Sequence, residues 1–376
     1  MQNQPPKTTK RRGNEGFFCV FMIILILFEI LLVAAVLART LASDTPPANE
    51  ETQTTSPTDT APPVGDSTPS TPVFSGGVIP SPPTQNASTV SLSGEIDSQY
   101  AILIDAETGE ILAQKGADVK FSPASMTKVM TLIVACEQLT EADLNRRLAL
   151  TEEIVTYVTS GNYYGTEVAL PRELSGISCI GDSYYIKDLL YGIGVMSAAD
   201  CTYMIAKEVS GSEEAFVALM NQKAKALGLN DTHFDNAVGF DSETNTTTAR
   251  DMAVIMAYAM QSDLITDILK PRSENLPILA YYLDNGVEKN YKVWLKPSLE
   301  SRMNKYTDFS LDKVKLTATK TGYTTESFIV SAAKGLQNVK TYIVVLGNAT
   351  TTHTSISEKL KATMIDLEKL YNLYVK

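Results

Sequence analysis

The chain has 376 residues, 44% of them apolar and 20% charged, with a formal charge of −11. That composition supports a globular core, and the length allows two or three domains or one large domain with appendages. The acidic balance argues against a nucleic-acid partner, which would leave a basic footprint. Four Cys and two His, with no CxxC or HxxxH spacing, give no reason to expect a metal or a cofactor and leave little room for a Ser-His-Asp triad.

Residues 1–16 are polar and carry Lys7, Lys10, Arg11 and Arg12. Phe17 to Ala38 is then almost unbroken apolar, with Glu29 its one charge. About 22 residues at 1.5 Å each reach roughly 33 Å, enough to cross a bilayer. No Lys or Arg follows Arg39 until Lys115. The positive-inside rule therefore predicts a transmembrane helix over 17–38, a cytoplasmic N-terminus and the rest of the chain on the extracellular face of the cell membrane. The alternative is a cleaved signal peptide and a secreted product, but the apolar stretch is longer than such signals need. Residues 39–95 hold ten of the 17 Pro among many Thr and Ser and read as a disordered linker. It would average roughly 40 Å end to end, a reach suited to a cell-wall polymer.

Residues 96–376 read as one domain. Tyr100–Asp105 and Ile111–Gln114, joined by the turn Glu107-Thr-Gly-Glu110, predict a β-hairpin. Ser122 and Pro123 predict a helix start, with Ser as N-cap, running to about Leu139. Helical patterns follow at 186–209, 212–227 and 248–261. Strand-like runs cover 315–320, 326–333 and 340–347, and an amphipathic helix begins near 355. Strands at both ends with helices between predict an α+β fold on an antiparallel sheet of about five strands. Cys136 and Cys201 lie in apolar helical patterns and are expected as buried free thiols; with Cys179 they allow at most one disulfide.

Three short motifs could carry chemistry. In Ser125-Met-Thr-Lys128 the i and i+3 side chains share one face of a helix, and the positive helix end favours a developing alkoxide. A neutral Lys128 could take the Ser125 proton. Bringing a Lys from near 10.4 to 7 costs roughly 5 kcal/mol, which burial and a second nearby cation would have to supply. Ser331-Ala-Ala-Lys334 has the same spacing but lies in a strand pattern, where i and i+3 point to opposite faces. Lys320-Thr321-Gly322, just before a strand, offers a cation, a hydroxyl and a residue without Cβ against which an extended ligand could lie. Ser197-Ala-Ala-Asp200 taken alone reads as a cap between two helices.

In this order and spacing the motifs resemble the D-alanyl-D-alanine carboxypeptidases, the low-molecular-mass penicillin-binding serine peptidases of family S11. The resemblance spans about 96–350 and includes Asp105-Ala-Glu-Thr-Gly-Glu-Ile-Leu-Ala, Pro123-Ala-Ser-Met-Thr-Lys-Val-Met-Thr, Ala226-Leu-Gly-Leu-Asn-Asp-Thr-His-Phe, Thr248-Ala-Arg-Asp-Met-Ala and Lys320-Thr-Gly-Tyr-Thr. It implies a β-lactamase/DD-peptidase-like fold acting on peptidoglycan stem peptides, with β-lactams as covalent inhibitors. Ser125 would be the nucleophile, Lys128 its base and Ser197 a proton relay to the leaving amine. Lys320 and Thr321 would hold the substrate carboxylate, and Lys320 would help lower the pKa of Lys128. The N–H groups of Ser125 and Tyr323 would form the oxyanion hole.

Two positions depart from the family pattern. Ala199 stands where the second motif carries Asn, which by the resemblance contacts the substrate amide and the catalytic Lys, a loss expected to cost tenfold to about a hundredfold in rate and to be reversed by Ala199→Asn. The loop Gly347–His353 lacks the Arg often found there; His353 is a weak substitute, and His233 is expected to be a packing residue. The family's second, β-rich domain has no expected counterpart here, the N-terminal span taking over anchoring. A degenerate member that binds muropeptide or a protein partner without turnover is the alternative that Ala199 favours. A β-lactamase-like hydrolase is weaker, since no Glu is expected to serve as a separate deacylation base.

Overall fold

A computed structural model describes residues 71–160, 167–175, 177–298, 309–324, 326–349 and 356–375. The expected membrane span, most of the linker and His353 lie outside them. Among the described residues no single helix is long and apolar enough to cross a membrane.

The main sheet holds β1 (Val90–Ser91), β2 (Ser98–Asp105), β3 (Ile111–Lys115), β10 (Val314–Tyr323), β11 (Ser327–Gly335) and β12 (Thr341–Ala349). Their order is β1-β3-β2-β12-β11-β10. All neighbours are antiparallel except the two-residue β1, which runs parallel to β3. The five expected strands are therefore present, assembled from both ends of the domain. Alternation sorts their side chains onto two faces. Ile102, Ile104, Val330, Ile343 and Val345 point into the larger core, shared with helix α1 (Thr127–Gln138) and α7 (Ala249–Ala259). Ala101, Leu103, Ile329, Val344 and Leu346 point the other way, onto Leu367, Leu370 and Tyr371 of the last helix, α9 (Ile356–Tyr374). The sheet is thus covered on both faces, which makes its strands rigid carriers for the site.

Three expectations change. Residues 71–95, read as linker, are ordered against the domain. The N–H groups of Val73 and Phe74 donate to the carbonyls of Leu139 (2.8 Å) and Cys136 (2.9 Å) at the end of α1. Those carbonyls have no partner inside the helix. Further along, Thr84 and Leu92 bond Gly109 and Gln114, and Phe74 and Leu92 are buried, so backbone bonds and a few apolar side chains together hold the segment. The expected helix 186–209 is broken. Ile186–Tyr191 forms α4, Gly192–Met196 widens into a π turn, and α5 restarts at Ala199–Ser210. A Cβ on Gly194 would collide with Ile268 and one on Gly192 with Cys201, so the wide turn exists where close approach excludes side chains. A second sheet, built on the hairpin of β8 (Leu276–Asp284) and β9 (Val287–Leu295), was not anticipated. Its turn residues Asn285 and Gly286 have φ of 51° and 78°, the signature of a tight type I′ hairpin.

Candidate active site

Ser125 is not in the first turn of an α-helix. It sits in a single 3-10 turn, Ala124–Met126, and α1 begins two residues later at Thr127. Ser122 does not cap; its Oγ donates to Asp241 Oδ1 at 2.5 Å. Ala124 takes a φ of 48°, a left-handed backbone that bars a regular helix start there. The short turn brings Ser125 and Lys128 onto one side, and Ser125 remains at the positive end of α1. Lys128 Nζ lies 3.1 Å from Ser125 Oγ.

Lys128 is 1% exposed. Burial holds its pKa down at about 7, while the negative charges of Glu167 and Asp200 push the other way. Burial is the main cause of the depression. Nζ donates its second bond to the carbonyl of Val238 at 2.6 Å. Asp200 is itself buried and accepts from the N–H groups of Ala169 (3.1 Å), Leu170 (2.8 Å) and Cys201 (2.8 Å). Burial raises its pKa against those bonds. Its carboxylate thereby ties the segment carrying Glu167 to the start of α5.

A second Ser–Lys pair faces the first. Lys320, on β10 and also 1% exposed, donates to Ser197 Oγ at 2.8 Å and to the carbonyl of Thr321 at 2.8 Å. Ser197 is not the N-cap of α5, which is Ala198; it is the left-handed C-cap of the π turn, with a φ of 63°. A left-handed non-glycine residue costs on the order of 1–3 kcal/mol, and this site contains two, Ala124 and Ser197. Thr321 Oγ1 lies 3.5 Å from Ser298 Oγ.

Gly322 also serves the packing of the site itself. A Cβ there would press within 3.1–3.3 Å of Pro123, Ala124 and Met126, so its bare backbone lets the Ser125 turn lie against β10. Tyr323 ends that strand, paired with Ser327. β10 is the outer strand of the sheet. The two Ser–Lys pairs therefore share one strand, β10 touching the Ser125 turn through Gly322 and Ser197 through Lys320.

The look-alike motif separates cleanly. Ser331 is buried in β11 with its Oγ 2.8 Å from Tyr371 Oη, and Lys334 is exposed. His233 is exposed beside Asp235 (3.2 Å) rather than packed. Cys136, Cys179 and Cys201 are all buried free thiols. Among the described residues no cluster of His, Cys, Asp and Glu could hold a metal.

Ala199 occupies an apolar pocket. It is 1% exposed and packs with Val158 and Val238, under Tyr157, Val168 and Phe240. Sequence reasoning missed Val238, Glu167 and the loop around Asn236. Only the turn-forming Asn and Gly in Asn236-Ala-Val-Gly-Phe240 hinted at a tight loop there.

Residues 84–350 match the family described as D-alanyl-D-alanine carboxypeptidase, peptidase S11. The D-alanyl-D-alanine carboxypeptidase DacF of Bacillus subtilis is 31% identical over 257 residues, 68% of this chain and 58% of that protein. DacA of Escherichia coli K12 is 34% identical over 161 residues, 43% of this chain and 38% of that protein. The chain thus spans well under two thirds of the length of these relatives. The crystal structure of the Streptomyces K15 DD-transpeptidase shares the fold at a TM-score of 0.60 and 23% identity, covering 75% of this chain and 98% of that one. The α+β architecture, the two Ser–Lys pairs on one strand and the family match over most of the described residues agree: the chain belongs to peptidase family S11, the D-alanyl-D-alanine carboxypeptidases.

Proposed function

We propose that the chain is a membrane-anchored serine D-Ala-D-Ala carboxypeptidase that trims the terminal D-Ala from peptidoglycan stem pentapeptides. The observation that carries this reading is Ser125 Oγ at 3.1 Å from an amine held near a pKa of 7. An amine of that pKa is substantially neutral at physiological pH and can act as a base. Ser125 Oγ attacks the carbonyl of the penultimate D-Ala, and its proton passes to the Lys128 lone pair. The C–N bond breaks, and the leaving amine takes a proton relayed through Ser197. Water then attacks the ester and frees Ser125. Lys320 and Thr321 bind the terminal carboxylate of a peptide lying along the β10 edge, and the N–H groups of Ser125 and Tyr323 receive the oxyanion. Penicillins acylate the same Ser125. The apolar stretch Phe17–Ala38 supports the anchor, with the catalytic unit on the extracellular face.

The test is penicillin exposure of the full-length chain in detergent, read by intact mass, with Ser125→Ala as control, followed by D-alanine release from a pentapeptide. A covalent adduct on the wild type alone, together with release, is expected. Without adduct or release, a muropeptide binder is the better reading, the one Ala199 favours. Recovery of the chain in the membrane fraction after alkaline extraction tests the anchor.

A further inference from the structure

Ala199 leaves open what orients the lysine in this site. Among the described residues, Lys128 Nζ has one oxygen acceptor besides Ser125, the Val238 carbonyl at 2.6 Å. When the amine is neutral, an N–H committed to that carbonyl leaves the lone pair free for the Ser125 proton. The position of the carbonyl is set by Asn236. Its Oδ1 accepts from the N–H groups of Gly239 (2.6 Å) and Phe240 (2.9 Å), and its Nδ2 donates to the Phe240 carbonyl at 3.0 Å. Three side chains from other parts of the chain fix the same loop. Thr131 Oγ1 donates to the Ala237 carbonyl (2.6 Å), Glu213 Oε1 accepts from the Ala237 N–H (3.0 Å), and Asn245 Nδ2 donates to the Phe240 carbonyl (3.0 Å). Gly239 turns the loop at a φ of 87°, where a Cβ would strike the carbonyl of Ala124, the residue before the nucleophile. Val238 therefore presents two faces. Its carbonyl meets Lys128, and its side chain packs on Ala199 and Val158. A side-chain amide at position 199 would have to enter that apolar contact.

We propose that Asn236 is the positioning residue for Lys128. Through the Val238 carbonyl it provides the acceptor that the resemblance assigns to an Asn at 199, and the site is built around Ala199 rather than impaired by it. This rests on the reading of Lys128 as the base. The charged groups facing Lys128 are Glu167 and Asp200, from the segment before β5 (Glu173–Leu174) and from α5, and Lys320 of the facing pair on β10; none lies on the Asn236 loop.

The test follows penicillin acylation of the full-length chain by intact mass between pH 5.5 and 9.5, with a thermal melt of each variant. Asn236→Leu removes the bonds to Gly239 and Phe240. It should slow the plateau rate about tenfold or more, the scale of a lost hydrogen bond or two. Its acid limb should move to lower pH, because a carbonyl acceptor favours the charged amine, while the half-saturating penicillin concentration stays put. Asn236→Asp keeps both acceptor bonds and should hold the plateau within about threefold. Ala199→Asn should give no gain. A tenfold gain in Ala199→Asn would overturn the proposal, as would an unchanged plateau and limb in a folded Asn236→Leu. If Asn236→Leu does not fold, Ala199→Asn decides alone. A wild type that is not acylated at any pH overturns the functional reading and this proposal with it; a wild type that acylates no faster than Asn236→Leu overturns only the proposal.

Discussion

Lys128→Met should make the protein's stability respond differently to pH. In the folded chain burial holds Lys128 at about 7, against 10.5 when exposed. Between those values the unfolded chain keeps the proton and the folded chain releases it. The unfolded state then binds more protons, so stability rises with pH by up to about 1.4 kcal/mol per pH unit. Below 7 both states are protonated and this contribution is flat, with the cost of burying the ammonium fully present. From pH 7 to 9.5 the wild type should gain about 3 kcal/mol relative to Lys128→Met. Met is chosen because an unbranched side chain of similar length fills the slot. The unpartnered Val238 carbonyl it leaves is independent of pH and cancels in the comparison. Urea unfolding followed by the fluorescence of Trp294, the single Trp, gives the free energies. Parallel pH curves for the two proteins would mean Lys128 titrates like an exposed lysine, and the argument for a neutral base would fail.

Three further outcomes are expected. Glu167→Gln removes a charge that raises the Lys128 pKa, so the acid limb of acylation should shift to lower pH, raising the rate at pH 6; because Glu167 is exposed, high salt should shrink the difference. Gly239→Ala should cost at least about 3 kcal/mol in stability and abolish acylation, since the left-handed backbone and the Ala124 carbonyl both oppose a Cβ; denaturant midpoints and intact mass check it. Cys136, pushed up to about 12 by burial, and the equally buried Cys179 and Cys201 should stay unlabelled by iodoacetamide in the native protein and react in urea, read by peptide mapping.

The central strands of the main sheet were readable because they bury both faces, so runs such as Tyr100–Asp105 and Thr341–Gly347 are apolar whatever their surroundings; the two-residue β1, inside the stretch read as linker, was not. The hairpin Leu276–Leu295 was readable in principle, since Asp284-Asn-Gly-Val is a strong turn signal. The exposed Glu288, Lys289 and Lys292 masked β9, and β8, which carries no Lys or Glu, went unread beside it. The break at Gly192–Ala198 was not readable. The apolar spacing continues through it, and the wide turn is dictated by Cys201 and Ile268, which are distant in sequence or folded back. Likewise residues 71–95 look disordered because their partners are backbone groups, at the end of α1 and along β3 and the turn before it, which leave no mark in composition.

The site divides along the same line. Ser125, Lys128 and Lys320 were legible because their side-chain chemistry and spacing single them out, and Ser197 through the resemblance, but the group that completes Lys128 is a backbone carbonyl, and any residue type can supply one. What a sequence can show is the side chain that shapes the backbone, here an Asn followed three residues later by a Gly. Ser331 and Lys334 make the converse point. The right residues at the right spacing do nothing when the backbone period sends one to Tyr371 and the other to solvent. Two buried lysines and two left-handed residues are each unfavourable, and nothing in the packing of the core calls for them. They persist together because the sheet and helices around them are rigid enough to impose them, and their coincidence on β10 and the turn against it is itself physical evidence that these positions are held for chemistry.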